Sequence, residues 1–260
     1  MGIGKHSGSG EKMSIINRDC LEYMETLKDD HFDLIITDPP YGINMTSDGF
    51  GGSKNADKSE YVKIEDWDKE KPSLEVFNEI IRVSKNQIIF GGNYFTDKLP
   101  VSNCWVVWDK RCGITPERAY ADCELIWTSF DKSSRMIRFV WDGFIQDNKN
   151  RIQEKRYHPT QKPVDVIRQL LDRFGNDCLN VFDPFAGSGS TLLAAKQKGY
   201  VFVGCEISEE YCKIIKERLN RFDDNAKYSY LIEQNQWAMR NASTYVLAVD
   251  PGFYDTMPEK

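Results

Sequence analysis

One stretch of the chain, LNVFDPFAGSGSTLLAAKQKGYVFVGCEIS (179–208), restricts the fold more than any other. In it an apolar strand, a glycine-containing loop, a helix and a second apolar strand follow one another. A helix of this length carries the chain back across a sheet, so the two strands run parallel. Strand and helix patterns alternate in the same way elsewhere. The sequence therefore predicts an α/β fold with a doubly wound, mostly parallel sheet.

The other predicted elements follow from hydrophobic periodicity. Predicted strands carry short apolar runs, and predicted helices carry apolar residues at helical spacing. We expect Pro163 at the first helical position of its helix and Gly175 at its end. The expected strands are 13–17, 32–37, 86–92, 104–110 and 123–130, and the expected helices are 20–28, 73–84, 163–175 and 209–222.

The length of 260 residues allows one large α/β domain or two small ones. Residues 1–12 are rich in Gly and Ser and resemble a leader or tag. We expect the main domain at 13–222, followed by a C-terminal extension of unknown role at 223–260.

Composition excludes several classes of protein. No apolar run approaches the ~18 residues of a membrane-spanning helix, so no membrane partner is expected. The seven cysteines form no CxxC pair and the three histidines show no ligand spacing. We therefore expect a cytoplasmic protein with neither disulfides nor a bound metal. The net charge of −6 does not by itself indicate binding to nucleic acid.

The predicted strand 32–37 runs directly into Asp38-Pro39-Pro40-Tyr41. Two consecutive prolines stop the strand, because neither has an N–H for the sheet ladder. The result is a rigid elbow with free carbonyls, a carboxylate on one side and an aromatic ring on the other. A turn without function remains the alternative, but such turns rarely need all four features.

The glycine loop predicts a ligand site at the end of another strand. Gly187 and Gly189 lie between a strand and a helix N-terminus, where the backbone approaches a ligand closely. Glu206 ends the next strand, where an acid can bind ribose hydroxyls, and Asp183 suits a cationic amine. The third glycine of a dinucleotide site and the lysine of a P-loop are both absent. Tight packing is the alternative, but a nucleoside joined to an amino acid fits both acids.

Three motifs together resemble one family. DPPY (38–41), DPFAGSGST (183–191) and HPTQKP (158–163) resemble the amino DNA methyltransferases, and their order is that of the permuted β class. The resemblance covers about residues 13–222. It implies the class I methyltransferase fold in circularly permuted order, S-adenosylmethionine as cofactor and double-stranded DNA as partner, inside a bacterial or phage-infected cell.

The resemblance also implies roles for individual residues. The catalytic set is Asp38, Pro39, Pro40 and Tyr41. Asp19, in the stretch NRDCLEYM (17–24), is expected near the cofactor adenine, and HPTQKP is expected to help hold the methionine end. The full cofactor-binding set is Asp19, Cys20, Thr160, Lys162, Asp183, Phe185, Gly187, Ser188, Gly189, Ser190 and Glu206.

The family chemistry explains these residue types. An adenine amine is a poor nucleophile, and the Asp38 carboxylate and the Pro39 carbonyl are expected to accept its hydrogens while Tyr41 stacks on the extruded base. Asp38, where β-class cytosine enzymes more often carry Ser, favours adenine N6. Transfer to cytosine N4 stays open, and glutamine methyltransferases are a weaker alternative. A catalytically silent DNA-binding subunit is the alternative from another class.

Residues 131–157 occupy the position of the family's target-recognition segment. Between Asp131 and Lys162 there are eight Lys and Arg against four Asp and Glu. Arg135, Arg138, Lys155 and Arg156 are expected to contact DNA, although a solvated or dimer face is the alternative. The loop 42–60 should lie beside the target base. Asn93 is a candidate pocket residue or a plain turn residue, and a homodimer is left open.

Overall fold

The structure, a computed structural model, describes residues 13–43, 68–113, 121–142, 145–146, 154–157, 160–175, 178 and 180–223. The expectations for the leader 1–12, for most of the loop 42–60 and for the extension beyond 223 lie outside the described residues. The chain divides into two compact units, 1–219 and 220–260, and the description of the second is limited to residues 220–223.

Strands and helices follow one another along the described residues. A 3₁₀ turn at Gly92–Tyr94 follows the third strand. The order is β1 Ser14–Ile16, α1 Cys20–Met24, β2 Phe32–Thr37, α2 Leu74–Arg82, β3 Ser84–Phe90, β4 Trp105–Asp109, β5 Cys123–Thr128, β6 Arg135–Arg138, β7 Trp141–Asp142, β8 Ile145–Gln146, α3 Val164–Phe174, β9 Asn180–Asp183, α4 Ser190–Gln197, β10 Val201–Cys205 and α5 at 209–223.

Eight of these strands form one sheet in the order β1-β10-β9-β2-β3-β5-β4-β6. The first five are mutually parallel. Strand β5 runs antiparallel to both β3 and β4, and β6 is parallel to β4. The predicted α/β class with a mostly parallel sheet is therefore confirmed. Strands β7 and β8 form a separate antiparallel pair.

Strand β2 lies in the middle of the parallel part. It pairs with β3 on one side, where Ile36 faces Ile88, and with β9 on the other, where Ile35 faces Phe182. Leu34, Ile35 and Ile36 are fully buried. A central strand of a parallel sheet is covered on both faces, which is why its sequence is continuously apolar rather than alternating.

Parallel strands bring their carboxyl ends to one edge of the sheet. Asp38 directly follows β2, Asp183 ends β9 and Glu206 directly follows β10. The Thr37 hydroxyl donates to Asp183 Oδ1 at 2.7 Å and joins two of these ends. Ligands of doubly wound folds bind at this edge.

Two helix boundaries differ from the expected ones. Helix α1 ends at Met24 rather than near residue 28, because Arg82 donates to the Met24 and Leu27 carbonyls and fixes the chain in a turn. Pro163 is the N-cap of α3 rather than its first helical residue, with an extended ψ of 135°. Its carbonyl accepts the first helical bond, from Val166 N–H.

No helix of the described residues is long and apolar enough to cross a membrane.

Candidate active site

A cavity of about 320 Å³ lies at the carboxyl edge of the parallel strands. Its lining brings together segments far apart in the chain: the start of α1, the elbow after β2, residues 160–162, the glycine loop and the end of β10. Every residue predicted to bind cofactor lines it except Gly189. Asp38 and Pro40 line it too, so the two motifs that the sequence presents separately form one site.

The two glycines of the loop do different things. Gly187 has a φ of 50°, and a Cβ built there would meet no atom within 4 Å, so the glycine leaves space open beside the cavity. Gly189 has a φ of 82° and is the N-cap of α4. A Cβ there would lie 2.9 Å from Ile215 Cγ1 of α5, so Gly189 allows two helices to pack closely.

Glu206 holds the glycine loop against β10. Its Oε2 accepts the Gly187 N–H at 2.8 Å, and its Oε1 accepts the Ser208 N–H at 2.8 Å. Burial raises the pKa of this carboxyl, and the two backbone donors oppose that shift. A carboxylate fixed in this way is ready to accept hydrogen bonds from neighbouring hydroxyls, such as those of a ribose.

Asp183 is the second acid of the cavity. Its Oδ1 accepts hydrogen bonds from the Thr37 hydroxyl at 2.7 Å and from the Phe185 N–H at 3.1 Å. Burial raises the pKa of Asp183 to about 7. A buried carboxyl with a pKa near neutrality takes up a cationic group when it ionises, so Asp183 suits an ammonium ligand.

The start of α1 contributes Asp19 and Cys20. Asp19 Oδ1 caps the helix by accepting the Leu21 N–H at 2.8 Å and the Glu22 N–H at 3.3 Å. Burial raises the pKa of the Cys20 thiol to about 12, so Cys20 stays protonated and is no nucleophile.

Both oxygens of Asp38 are hydrogen-bonded. The Tyr41 hydroxyl donates to Oδ1 at 2.6 Å, and the Lys162 ammonium donates to Oδ2 at 2.7 Å. Burial raises the pKa of Asp38, and the charge of Lys162 opposes this. Burial alone would lower the pKa of Lys162, but Asp38 and Glu124 together raise it, so the lysine is a cation. Lys162, expected at the methionine end of a cofactor, thus contacts the elbow directly.

The Tyr41 ring is held by the turn after β3. It stacks on Tyr94 with centroids 4.6 Å apart and planes 14° from parallel. Gly91 has a φ of 63°, and a Cβ there would lie 2.3 Å from Tyr41 Cε1, so no other residue fits beside the ring. Asn93, the residue considered from sequence, is exposed, and its neighbour Tyr94 makes the contact.

Comparison with known proteins finds similarity to DNA methylases. A sequence model described as DNA methylase matches residues 109–217. The putative methylase YubD of Escherichia coli strain K12 is 28% identical over 220 residues, which cover 78% of this chain and 88% of that protein. The type II methyltransferase M2.LlaDCHI of Lactococcus lactis subsp. cremoris is 24% identical over 253 residues, covering 81% and 90%. The chain is similar to DNA methylases over most of its length.

A solved structure has a similar fold. The PvuII DNA methyltransferase, described as cytosine-N4-specific, matches with a TM-score of 0.50 and 13% identity. The match covers 80% of this chain and 86% of that one. At this identity the likeness concerns the fold and not the target base.

A buried network fixes residues 160–162, the segment that carries Lys162, to the glycine loop. Gln161 accepts from the Ser188 hydroxyl at 3.1 Å and donates to Glu154 Oε1 at 2.9 Å. Arg218 of α5 donates to the same Glu154 oxygen at 2.9 Å. The other oxygen, Oε2, accepts the Val164 N–H at the start of α3 at 3.0 Å. The position of Lys162 is therefore set by contacts that its own side chain does not make.

Sequence reasoning missed several of these residues. Gln161 lies within HPTQKP, but the residues of that motif expected to bind cofactor are Thr160 and Lys162. Glu124 could not be predicted from the sequence, because it lies near the start of a strand, β5. In a wholly parallel sheet the starts of the strands lie at the edge opposite the ligand site. Strand β5 is antiparallel to β3, so its start lies at the carboxyl edge instead.

The residues expected to contact DNA lie in two places. Arg135 and Arg138 are exposed at the two ends of the edge strand β6, and their odd spacing directs them to opposite faces. Lys155 is exposed. Arg156 is half-buried, with its guanidinium 4.2 Å from the centroid of Trp141.

Proposed function

We propose that this protein transfers the methyl group of S-adenosylmethionine to the N6 amine of an adenine in double-stranded DNA. The observation that carries the proposal is that one cavity is lined by Asp38 together with the acids Asp183 and Glu206. The setting is the cytoplasm of a bacterial or phage-infected cell. The resemblance leaves a homodimer open, and sedimentation equilibrium of the purified chain would establish the oligomeric state.

The residues of the cavity fit the cofactor. Glu206 would accept hydrogen bonds from the ribose hydroxyls, and Asp183 would accept hydrogen bonds from the amino group of the cofactor. Gly187 leaves room for the ligand between them. The volume of about 320 Å³ is within the range of small-molecule sites. When bound, S-adenosylmethionine supplies an electrophilic methyl group on a sulfonium.

Asp38 and Pro39 act on the target amine. The nitrogen lone pair is delocalised into the adenine ring, and two acceptors aimed at the amine hydrogens favour a pyramidal geometry in which the pair is available. Asp38 supplies a carboxylate oxygen and Pro39 its carbonyl. The amine nitrogen would bond to the methyl carbon as the carbon–sulfur bond breaks, which leaves a neutral thioether, and the displaced amine proton would pass to the Asp38 carboxylate. Fixed orientation of this kind contributes up to ~7–11 kcal/mol.

The adenine must leave the duplex to reach Asp38. Extrusion costs a few kcal/mol, and stacking on an aromatic ring returns ~1–3 kcal/mol. Tyr41 is the ring proposed to stack on the base, and Lys162 Nζ lies 5.4 Å from its centroid. The hydrogen bond from Tyr41 to Asp38 fixes the ring relative to the acceptor.

Cofactor affinity should depend on pH through Asp183. Its pKa of about 7 means that it is protonated below neutrality and cannot then pair with an ammonium group. We expect affinity to fall as pH falls, by about tenfold between pH 8 and pH 6. Calorimetric titration across this range measures it. The Asp183→Asn variant should bind weakly with little change over the same range, and a pH dependence that survives in this variant would contradict the assignment.

Affinity for DNA should depend on salt through the exposed basic residues. If Arg135, Arg138 and Lys155 neutralise phosphates, replacing each by Ala should flatten the plot of log affinity against log salt by about 0.9. Arg156 should contribute less because it is half-buried on Trp141. The matched control is Lys85→Ala, an exposed lysine near the start of the central strand β3, outside 131–157 and paired with Asp33. An unchanged slope in the triple variant would put the DNA surface elsewhere, with the loop 42–60 as the next candidate.

Radiolabelled methyl transfer by the purified chain alone tests the proposal. Label should appear in duplex DNA only when the chain, DNA and labelled cofactor are all present. Binding of cofactor without transfer to any duplex would contradict the proposal and favour the silent subunit.

A further inference from the structure

The contacts of Asp38 raise a chemical difficulty for the proposed reaction. Its Oδ2 lies 2.7 Å from the Lys162 ammonium. A carboxylate bound to a cation is a weaker acceptor for an amine hydrogen. The cation also repels the positive charge that develops on the amine as its bond to the methyl group forms. Efficient transfer therefore needs a group that draws the ammonium away from Asp38 or compensates its charge.

Glu124 provides such a group. It lies on β5, with its side chain 20% exposed and that of Lys162 only 7% exposed. Its Oε2 is buried and has no hydrogen-bond partner among the described residues, although it lies 3.5 Å from Lys162 Nζ. A buried carboxylate oxygen without a partner is costly, so its position calls for an explanation. The ammonium lies 2.7 Å from one acid and 3.5 Å from the other, a difference of 0.8 Å.

We propose that Glu124 is a positioning residue that receives the Lys162 ammonium when the target amine binds Asp38. This inference rests on the proposed function. A displacement of less than about 1 Å exchanges one hydrogen bond for another within an enclosed site. Before the exchange Lys162 holds Asp38 ionised and in place. After it, the Asp38 oxygen is available to the amine, and the two acids and one lysine still carry a net negative charge.

The other charged and titratable groups around Asp38 leave this arrangement intact. Tyr41 donates to the Asp38 oxygen that Lys162 does not use. The Oε1 of Glu124 lies 3.5 Å from Lys110 Nζ, which leaves Oε2 for Lys162. The groups that face the cluster are Tyr41 from the elbow, Lys162 from the segment before α3, Glu124 from β5, Lys110 from β4 and Asp183 from β9.

The test compares Glu124→Gln with Lys162→Gln. Glu124→Gln keeps the shape of the side chain and removes the charge, so Lys162 should stay on Asp38. We expect the single-turnover rate of methyl transfer to fall by about 10²-fold, as for a misplaced reacting group, with the affinity for S-adenosylmethionine unchanged. The acid limb of the pH–rate profile should move to lower pH, because Asp38 loses a negative neighbour. Lys162→Gln should move it to higher pH, because Asp38 loses a cation.

If Glu124 had only a structural role, Glu124→Gln would transfer methyl more slowly at every pH, and the acid limb of the pH–rate profile would not move. That result, or an unchanged rate in Glu124→Gln, would overturn the inference. Glu124→Asp keeps the charge, so the acid limb of its pH–rate profile should lie at the same pH as in the unchanged chain. This variant replaces Glu124→Gln in the test if Glu124→Gln does not bind cofactor. Glu209→Gln, an exposed acid paired with Lys213, is the matched control. Absence of transfer by the unchanged chain would instead overturn the proposed function.

Discussion

Replacing Asp38 by Ala should lower the single-turnover rate of methyl transfer by about 10³-fold or more. The carboxylate is the proposed charged acceptor for the amine hydrogens, and its Oδ1 lies 2.6 Å from the Tyr41 hydroxyl at the wall of the cavity. Affinity for S-adenosylmethionine should stay within a few-fold of the unchanged chain, because the glycine loop and its acids are untouched. Rapid-quench transfer and calorimetric titration measure the two quantities.

The control for this variant separates chemistry from folding. Breaking a buried ion pair costs about 3–5 kcal/mol, and Glu124 beside Lys162 should keep the loss in free energy of unfolding at the low end. Urea denaturation measures that loss. Asp97→Ala removes an exposed acid whose ion pair is with its neighbour Lys98, and it should transfer methyl at the unchanged rate. An Asp38→Ala variant that transfers methyl within tenfold of the unchanged chain would contradict the mechanism.

Replacing Gly187 by Val should weaken S-adenosylmethionine binding by about 10²-fold, since overfilling a packed site costs ~1–3 kcal/mol. A Cβ at this position meets no protein atom within 4 Å, so the valine side chain is free to occupy the space beside the cavity. Calorimetric titration measures the loss.

Gly199 offers a matched control for this substitution. It has a φ of 79° and equally open space for a Cβ, but it lies in the turn after α4, away from the cavity. Gly199→Val should therefore impose similar backbone strain while leaving cofactor affinity unchanged. Equal losses of affinity in the two variants would mean that strain, rather than occupation of the cavity, explains the effect.

The sequence predicted a strand well where the hydrophobic pattern of that strand alone was enough to define it. The apolar run before Asp38 marks β2 at Phe32–Thr37, because a strand covered on both faces has no polar side to interrupt it. Helix ends were less predictable. The end of α1 at Met24 depends on Arg82, which is distant in the chain and donates to its last carbonyls.

The candidate site was predictable where motifs lie at the ends of parallel strands. Asp38, Asp183 and Glu206 each follow an apolar run, and the parallel order brings them to one edge. The contacts between motifs were not predictable. The position of Lys162 on Asp38 is set by Gln161 and the network around it, and Glu124 reaches the cluster only because β5 runs antiparallel. These are pairings of distant segments, which periodicity along the chain does not encode.

The target atom is the central claim, and mass spectrometry of treated DNA tests it most directly. Duplex DNA is incubated with the chain and S-adenosylmethionine carrying a deuterated methyl group, then digested to nucleosides. The account predicts deuterated N6-methyladenine and no deuterated methylcytosine. Deuterated N4-methylcytosine would contradict the adenine assignment and show that the elbow at Asp38 presents a cytosine amine.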